Sequence, residues 1–261
     1  MRLQIHFMLE RPVVIPIDHL HALQGLVYRL LGTSDGEYAR FLHEEGYRVV
    51  GEGRKRLKLF VFSGLRVAAS RRRLEGDWLH LAPGPIEWFV SSPREDFLVH
   101  SATGLLSVGT QVPLAGASLT VTGVEALPTP TFGERERFTC QTPVVASVAL
   151  PEGGTYYLRP SDSAAFSEAV RANLLRKYGL LTGSTPSDDR LQLEFDAGYL
   201  ADPKHRGGTK LTRFKEIQIV GAFAPFTLSG SPELIRLGWE CGLGEKNSAG
   251  FGMIELAKNG G

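Results

Sequence analysis

Cysteine is scarce in this 261-residue chain: Cys140 and Cys241, about a hundred positions apart, are the only two. No disulfide scaffold and no Cys-ligated zinc site can be built from such a pair, and the expected address is a reducing cytoplasm. No apolar run approaches the roughly 18 to 20 residues a membrane span needs. The opening MRLQIHFMLERP lacks a long apolar stretch with a small-residue cleavage site, so it does not read as a secretory signal. Charge of one sign is not in excess either, with 29 Lys+Arg against 28 Asp+Glu. That balance neither demands nor excludes nucleic acid, because a binding face depends on where charge sits. What remains is 43% hydrophobic and 22% charged, with mean hydropathy near zero. Such a chain buries a core. At about 150 residues per domain, its length suggests two modest domains.

The cations cluster. Arg54, Lys55, Arg56 and Lys58 fall within five positions, Arg71 to Arg73 follow, and Lys204, Arg206, Lys210, Arg213 and Lys215 share a stretch without an acid. Leu3, Ile5, Phe7 and Leu9 alternate as a half-buried strand does. Asp18 can cap a helix to about Leu31, and a second short helix runs from Asp35 to Gly46. Strands are expected over 57–62, 79–81, 86–90 and 118–125, with a helix over 93–105. The proline-rich and then charged segment 128–137 reads as a linker. Beyond it the order recurs: strand 144–150, helix 161–178, strands 191–195 and 211–220, helix 232–241, closing strand 251–256. The fold class implied is α+β, two tandem ferredoxin-like (RRM-like, βαββαβ) domains over 1–127 and 138–261.

Helical periodicity also says which side chains leave the core. At about 100° per residue, Leu20, Leu23, Leu26, Val27, Leu30 and Leu31 centre roughly 130° away from Tyr28, which shares its side with His21 and Gln24. On the next helix His43 lies opposite Tyr38. An imidazole there, near a helix end and beside Glu44 and Glu45, is suited to give or take a proton near neutral pH. Other chemistries fare poorly: no zinc-protease helix, no hydrolase elbow, no Walker loop and no Rossmann fingerprint occurs. The glycine-rich tail 242–252 is either a tight backbone turn or a loop whose N–H groups meet a phosphate backbone.

That tail, GLGEKNSAGFGMIEL, resembles the C-terminal glycine-rich signature of the CRISPR repeat-processing endoribonucleases, the Cas family numbered six in the RAMP superfamily. HALQGLVY (21–28), FLHE (41–44) and KLFVFS (58–63) resemble the same family. The resemblance implies RNA held across one face and the interdomain cleft, and cleavage once per repeat of the precursor transcript without metal or cofactor. The ribose 2′-hydroxyl attacks the adjacent phosphate, leaving a 2′,3′-cyclic phosphate and a 5′-hydroxyl. Carried over residue by residue, the family's catalytic positions fall on Tyr28, His43 and Lys58. His43 would do general acid/base work, and Lys58 would meet the phosphorane charge. Tyr28 would orient the 2′-hydroxyl or act as partner base. The long basic loop 46–57 departs from the family pattern and leaves open which of Lys58, Lys55 and Arg56 reaches the phosphate. His21 is a further candidate beside the scissile nucleotide.

RNA contacts are expected from Lys55, Arg56, Lys204, Arg206, Lys210 and Arg213, whose cations would neutralise phosphates. The partner implied is CRISPR repeat RNA, with a CRISPR effector complex and a homodimer left open. A non-catalytic RNA-binding subunit of the superfamily and a small-molecule-binding ferredoxin-like pair are the competing readings. The histidine in FLHE favours the enzyme over the first; the clustered cations and missing dinucleotide motif argue against the second.

Overall fold

A computed structural model describes residues 1–49 and 56–257. The N-terminal half contains β1 (Arg2–Leu9), β2 (Val13–Pro16), α1 (Leu20–Ser34), α2 (Gly36–Arg40), β3 (Tyr47–Arg48), β4 (Arg56–Leu57) and β5 (Val61–Phe62). It continues with β6 (Arg72–Glu75), β7 (Trp78–Leu81), β8 (Gly84–Ser91), α3 (Glu95–Ser107), β9 (Gln111–Leu114) and β10 (Ala117–Leu127). The alternation of Leu3, Ile5, Phe7 and Leu9 puts all four in the core as β1. That strand lies antiparallel between β8 and β10. The sheet order is β5-β8-β1-β10-β9, and α1 and α3 pack together. Omitting edge strand β9, chain order and spatial order are those of a ferredoxin-like βαββαβ unit. A small sheet, β2-β7-β6, is added outside it.

The second half repeats the plan with β11 (Arg135–Cys140), β12 (Ser147–Ala149), β13 (Thr155–Tyr157), α4 (Ser163–Thr182), β14 (Leu191–Phe195) and α5 (Ala197–Ala201). Then follow β15 (Thr209–Phe214), β16 (Ile217–Ala222), β17 (Phe226–Gly230), α6 (Pro232–Cys241) and β18 (Ile254–Leu256). Its sheet order is β14-β17-β11-β18, matching the first unit strand for strand. Each unit has an apolar core, and that of the first also takes in Val145, Ile219 and Phe251 from the second half. Arg2 pins them together: its guanidinium lies 4.0 Å over the Trp239 ring and donates to the carbonyls of Trp239 and Ile254.

The sequence misassigned two strands of the second unit. Its first strand is β11, not 144–150, so Arg135, Glu136 and Arg137 of the expected linker already pair with β17. Arg135 and Arg137 lie away from the core while Phe138 is buried, which is how a half-covered strand comes to look like a polar linker. The returning central strand is β17, not 211–220; β15 and β16 pair with each other as an inserted hairpin. In the first unit, the strand expected over 57–62 is interrupted. Lys58, Leu59 and Phe60 lie between β4 and β5, and Leu59 has φ 39°.

Candidate active site

The six apolar positions of α1 are all buried, as their spacing requires. Tyr28 departs from the expectation of an exposed face. It is half-buried against the core, its ring edge-on to Phe60 at 6.3 Å. A helical wheel knows only its own helix, and Phe60 arrives from another segment.

His43 sits where α2 gives way to one wide π-helical turn, Phe41–Glu45. Asp35 caps the start of α2 by accepting from the Glu37 and Tyr38 amides. Gly46 ends the turn with φ 64° and ψ −175°, a conformation essentially confined to glycine. A Cβ there would meet the Leu57 carbonyl at 3.0 Å and Lys58 Cγ at 3.4 Å. Glycine therefore lets the chain carrying Lys58 pass against the end of the His43 turn.

That passage brings cations to the orphaned carbonyls of a helix C-terminus, where they are favoured. Lys58 Nζ donates to the His43 carbonyl at 2.9 Å and to the Tyr28 hydroxyl at 2.9 Å. Arg56 donates to the carbonyls of Glu44 and Glu45 at 3.0 and 3.3 Å. The Tyr28 and His43 rings meet edge to face at 4.9 Å. Three residues from three segments thus form one cluster, with the His43 side chain exposed. An ammonium has three N–H donors; Lys58 uses two on the protein, and among the described residues the third has no acceptor.

Burial shapes the electrostatics. Loss of water lowers the Lys58 pKa below the ordinary lysine value and raises that of Tyr28 above the ordinary phenol value. The Tyr28 hydroxyl accepts from the Lys58 ammonium, and that bond fixes the position of the phenol oxygen.

The remaining expected residues divide. Lys55 lies outside the described residues. Lys204 and Arg206 are exposed on the turn Pro203–Gly208. Lys210 and Arg213 lie on β15, with the Lys210 ammonium 5.1 Å from the Phe223 ring centre. Partial burial lowers the Lys210 pKa, with Asp18 opposing the shift and Arg72 adding to it. The Arg213 amide donates to Asp18 Oδ2 at 3.0 Å, docking this hairpin on the start of α1. His21, two turns before Tyr28 on α1, meets Phe214 of the hairpin edge to face at 5.4 Å.

Much of the glycine-rich tail is a tight backbone turn. The amides of Leu243, Glu245, Gly250 and Gly252 donate to carbonyls of Gly252, Val145, Asn247 and Pro143 at 2.7–2.9 Å. These amides are spent within the protein. The tail nevertheless borders the cluster, because Gln24 Nε2, one turn before Tyr28, donates to the Ser248 carbonyl at 2.7 Å. Beneath it lies Lys177, which sequence reasoning missed. Its signal was positional: Phe166, Val170, Asn173, Leu174 and Lys177 recur at three- and four-residue intervals, and all are buried.

Among the described residues no group of three or more His, Cys, Asp or Glu side chains could hold a metal ion. No helix there is long and apolar enough to cross a membrane.

Comparison with known proteins follows the same division of the chain. The family profile described as CRISPR-associated protein Cas6, N-terminal, matches residues 14–125. The profile described as CRISPR associated protein Cas6, C-terminal, matches residues 127–256. The chain belongs to the Cas6 family. It is 27% identical over 256 residues to the CRISPR-associated endoribonuclease Cas6 1 of Methanocaldococcus jannaschii, covering 97% of this chain and 92% of that one. It is 26% identical over 254 residues to the CRISPR-associated endoribonuclease Cas6 of Pyrococcus furiosus, covering 96% and 86%. A solved structure described as CRISPR associated protein Cas6 matches with a TM-score of 0.76 at 26% identity over 99% of both chains. That of a Cas6-related gene of Pyrococcus furiosus gives 0.82 at 21% identity over 100% of this chain and 99% of that one, a likeness of fold. Cas6 membership and tandem ferredoxin-like architecture are thus the family and fold that the sequence motifs implied.

Proposed function

We propose that this Cas6 chain is an endoribonuclease that cuts CRISPR precursor RNA within each repeat by 2′-hydroxyl attack. The observation that carries the reading is the single ammonium of Lys58, which joins the Tyr28 hydroxyl to the main chain of His43. Cleavage of this kind needs an acid or base at the two ribose oxygens and positive charge at the pentavalent phosphorus. The nucleophile belongs to the substrate, so positioning does much of the work. The exposed imidazole of His43 takes or gives the proton. Lys58 offers its third N–H to a phosphate oxygen as charge develops there. Tyr28, steadied by Lys58, orients the attacking ribose. The products are a 2′,3′-cyclic phosphate and a 5′-hydroxyl.

Lys58 is the cation assigned to the scissile phosphate, while Arg56 holds the helix end. Lys204, Arg206, Lys210 and Arg213 are assigned to backbone phosphates of the bound RNA. The first unit (1–127) carries the chemistry, and the second, from β11 onward, carries the glycine-rich turn and the basic hairpin. The setting is the cytoplasm, where the transcript is made. Hand-over to an effector complex and pairing of two copies are further partner relationships, which the mass of the RNA-bound enzyme would decide.

The test is incubation with RNA spanning one repeat of the host's own CRISPR array in excess EDTA, beside His43→Ala and a substrate with one 2′-deoxy residue 5′ to the cut. One cut per repeat is expected, absent from the deoxy substrate and slowed on the order of 100- to 10,000-fold by His43→Ala. Tight binding without a cut would instead favour a non-catalytic RNA-binding role.

A further inference from the structure

The ammonium of Lys177 is buried under the glycine-rich turn, and the whole residue is 2% exposed. It donates to the carbonyls of Gly242 and Gly244 at 2.7 and 3.2 Å and to Asn247 Oδ1 at 2.7 Å. Those are all three of its donors, and all end within one six-residue stretch. Asn247 passes the constraint on, donating through Nδ2 to the carbonyls of Leu243 and Phe251 at 2.9 Å each. The turn has no slack of its own. A Cβ on Gly252 would stand 2.0 Å from the Leu243 carbonyl, and one on Gly250 would stand 2.6 Å from Phe62. Burying an ammonium is costly, and here the cost is met by acceptors that would otherwise be buried without donors. The charge serves to give one backbone path to one loop.

That path ends at the candidate site. Ser248 follows Asn247 directly, and its carbonyl receives the Gln24 side chain one helical turn from Tyr28. Lys246, exposed and in a left-handed conformation with φ 57°, precedes Asn247. We propose that Lys177 is a positioning residue for RNA: it holds the 242–252 turn so that Lys246 and the Ser248 edge form a fixed wall beside the Tyr28 face of α1. This rests on the functional reading of the Tyr28–His43–Lys58 cluster. Lys177 touches neither RNA nor the reacting atoms, so its loss weakens binding while the chemical step at saturation is unchanged.

The test separates the two quantities. Lys177→Met keeps length without donors, Lys177→Arg keeps donors, and Gln24→Ala cuts the tie between turn and helix from the surface. The dissociation constant is measured on repeat RNA blocked by one 2′-deoxy residue, and the single-turnover rate constant on unblocked RNA at saturation. Lys177→Met is expected to weaken binding about tenfold or more, the effect of losing one charge-assisted contact between a displaced Lys246 and the RNA. Lys177→Arg should fall between it and the wild type, with the saturating rate constant near the wild-type value for both. Folded Lys177→Met protein that binds like the wild type, or whose loss lies in the rate constant alone, would overturn the proposal. Should Lys177→Met fail to fold, Gln24→Ala decides: weaker binding supports the wall, and unchanged binding overturns it. A wild-type protein that binds but does not cut would sink the nuclease reading, while the binding arm still tests Lys177.

Discussion

The Lys58 ammonium and the Tyr28 hydroxyl meet at 2.9 Å, and loss of water pushes both groups toward their neutral forms. For Lys58 this sets a pH limit on catalysis. In the proposed mechanism its part is to meet negative charge at phosphorus, which it does only when protonated. A lowered pKa means the proton is lost at a lower pH than the roughly 10.4 of a free lysine. The saturating rate constant should therefore fall as pH rises through that depressed value. Lys58→Arg carries a guanidinium that does not titrate in range, so its slower reaction should lack this alkaline limb. Single-turnover rates between neutral and alkaline pH provide the check, and a limb that persists in Lys58→Arg would assign it elsewhere.

Tyr28→Phe distinguishes orientation from proton transfer. The variant loses one hydrogen bond to a charged group, worth about 1.5 to 3 kcal/mol. Cleavage should slow by roughly 10- to 150-fold if that interaction is made fully only in the transition state. The shape of the pH–rate profile should stay as in the wild type. A changed acid limb would mean that the phenol is the base after all.

The α1 stripe was legible because all six apolar positions point at a core that the helix itself meets. Tyr28, His43 and Lys58 were legible as three motif positions, yet nothing local said that one ammonium would join them. What escaped was set by partners distant in sequence. Phe60 covers one side of Tyr28, and β17, bounded by Pro225 and Gly230, is short enough to pass for a turn. Lys177 was hidden for the opposite reason. Its side chain is charged and its position is apolar, and the chain resolves the conflict with three carbonyl-type acceptors from a turn 65 to 70 residues away.

Gly46 should be hard to replace. Alanine there must adopt φ 64° with ψ −175° and place a Cβ 3.0 Å from the Leu57 carbonyl. Such backbone strain costs about 1 to 3 kcal/mol, which urea unfolding would measure. Relaxing it means moving Lys58 away from the His43 carbonyl, so cleavage by the folded fraction should slow as well. Gly25, in mid-α1 with nothing within 4 Å of its built Cβ, is the control. Gly25→Ala should stabilise the fold by roughly 0.5 to 1 kcal/mol.

Salt dependence separates cations that meet phosphate from those already occupied. Each phosphate neutralised on a single strand contributes about 0.7 to the slope of log affinity against log salt. The Arg206 side chain is exposed and has no ion-pair partner among the described residues. Arg206→Ala should remove about that amount of slope. Lys210 differs because its ammonium sits over Phe223, with Asp18 favouring its charge. Part of that charge is already balanced by the protein, so Lys210→Ala should change the slope less. Affinities for blocked repeat RNA over a salt series would measure both. An unchanged slope in Arg206→Ala would take the Pro203–Gly208 turn out of the RNA path, leaving the β15–β16 hairpin to carry it.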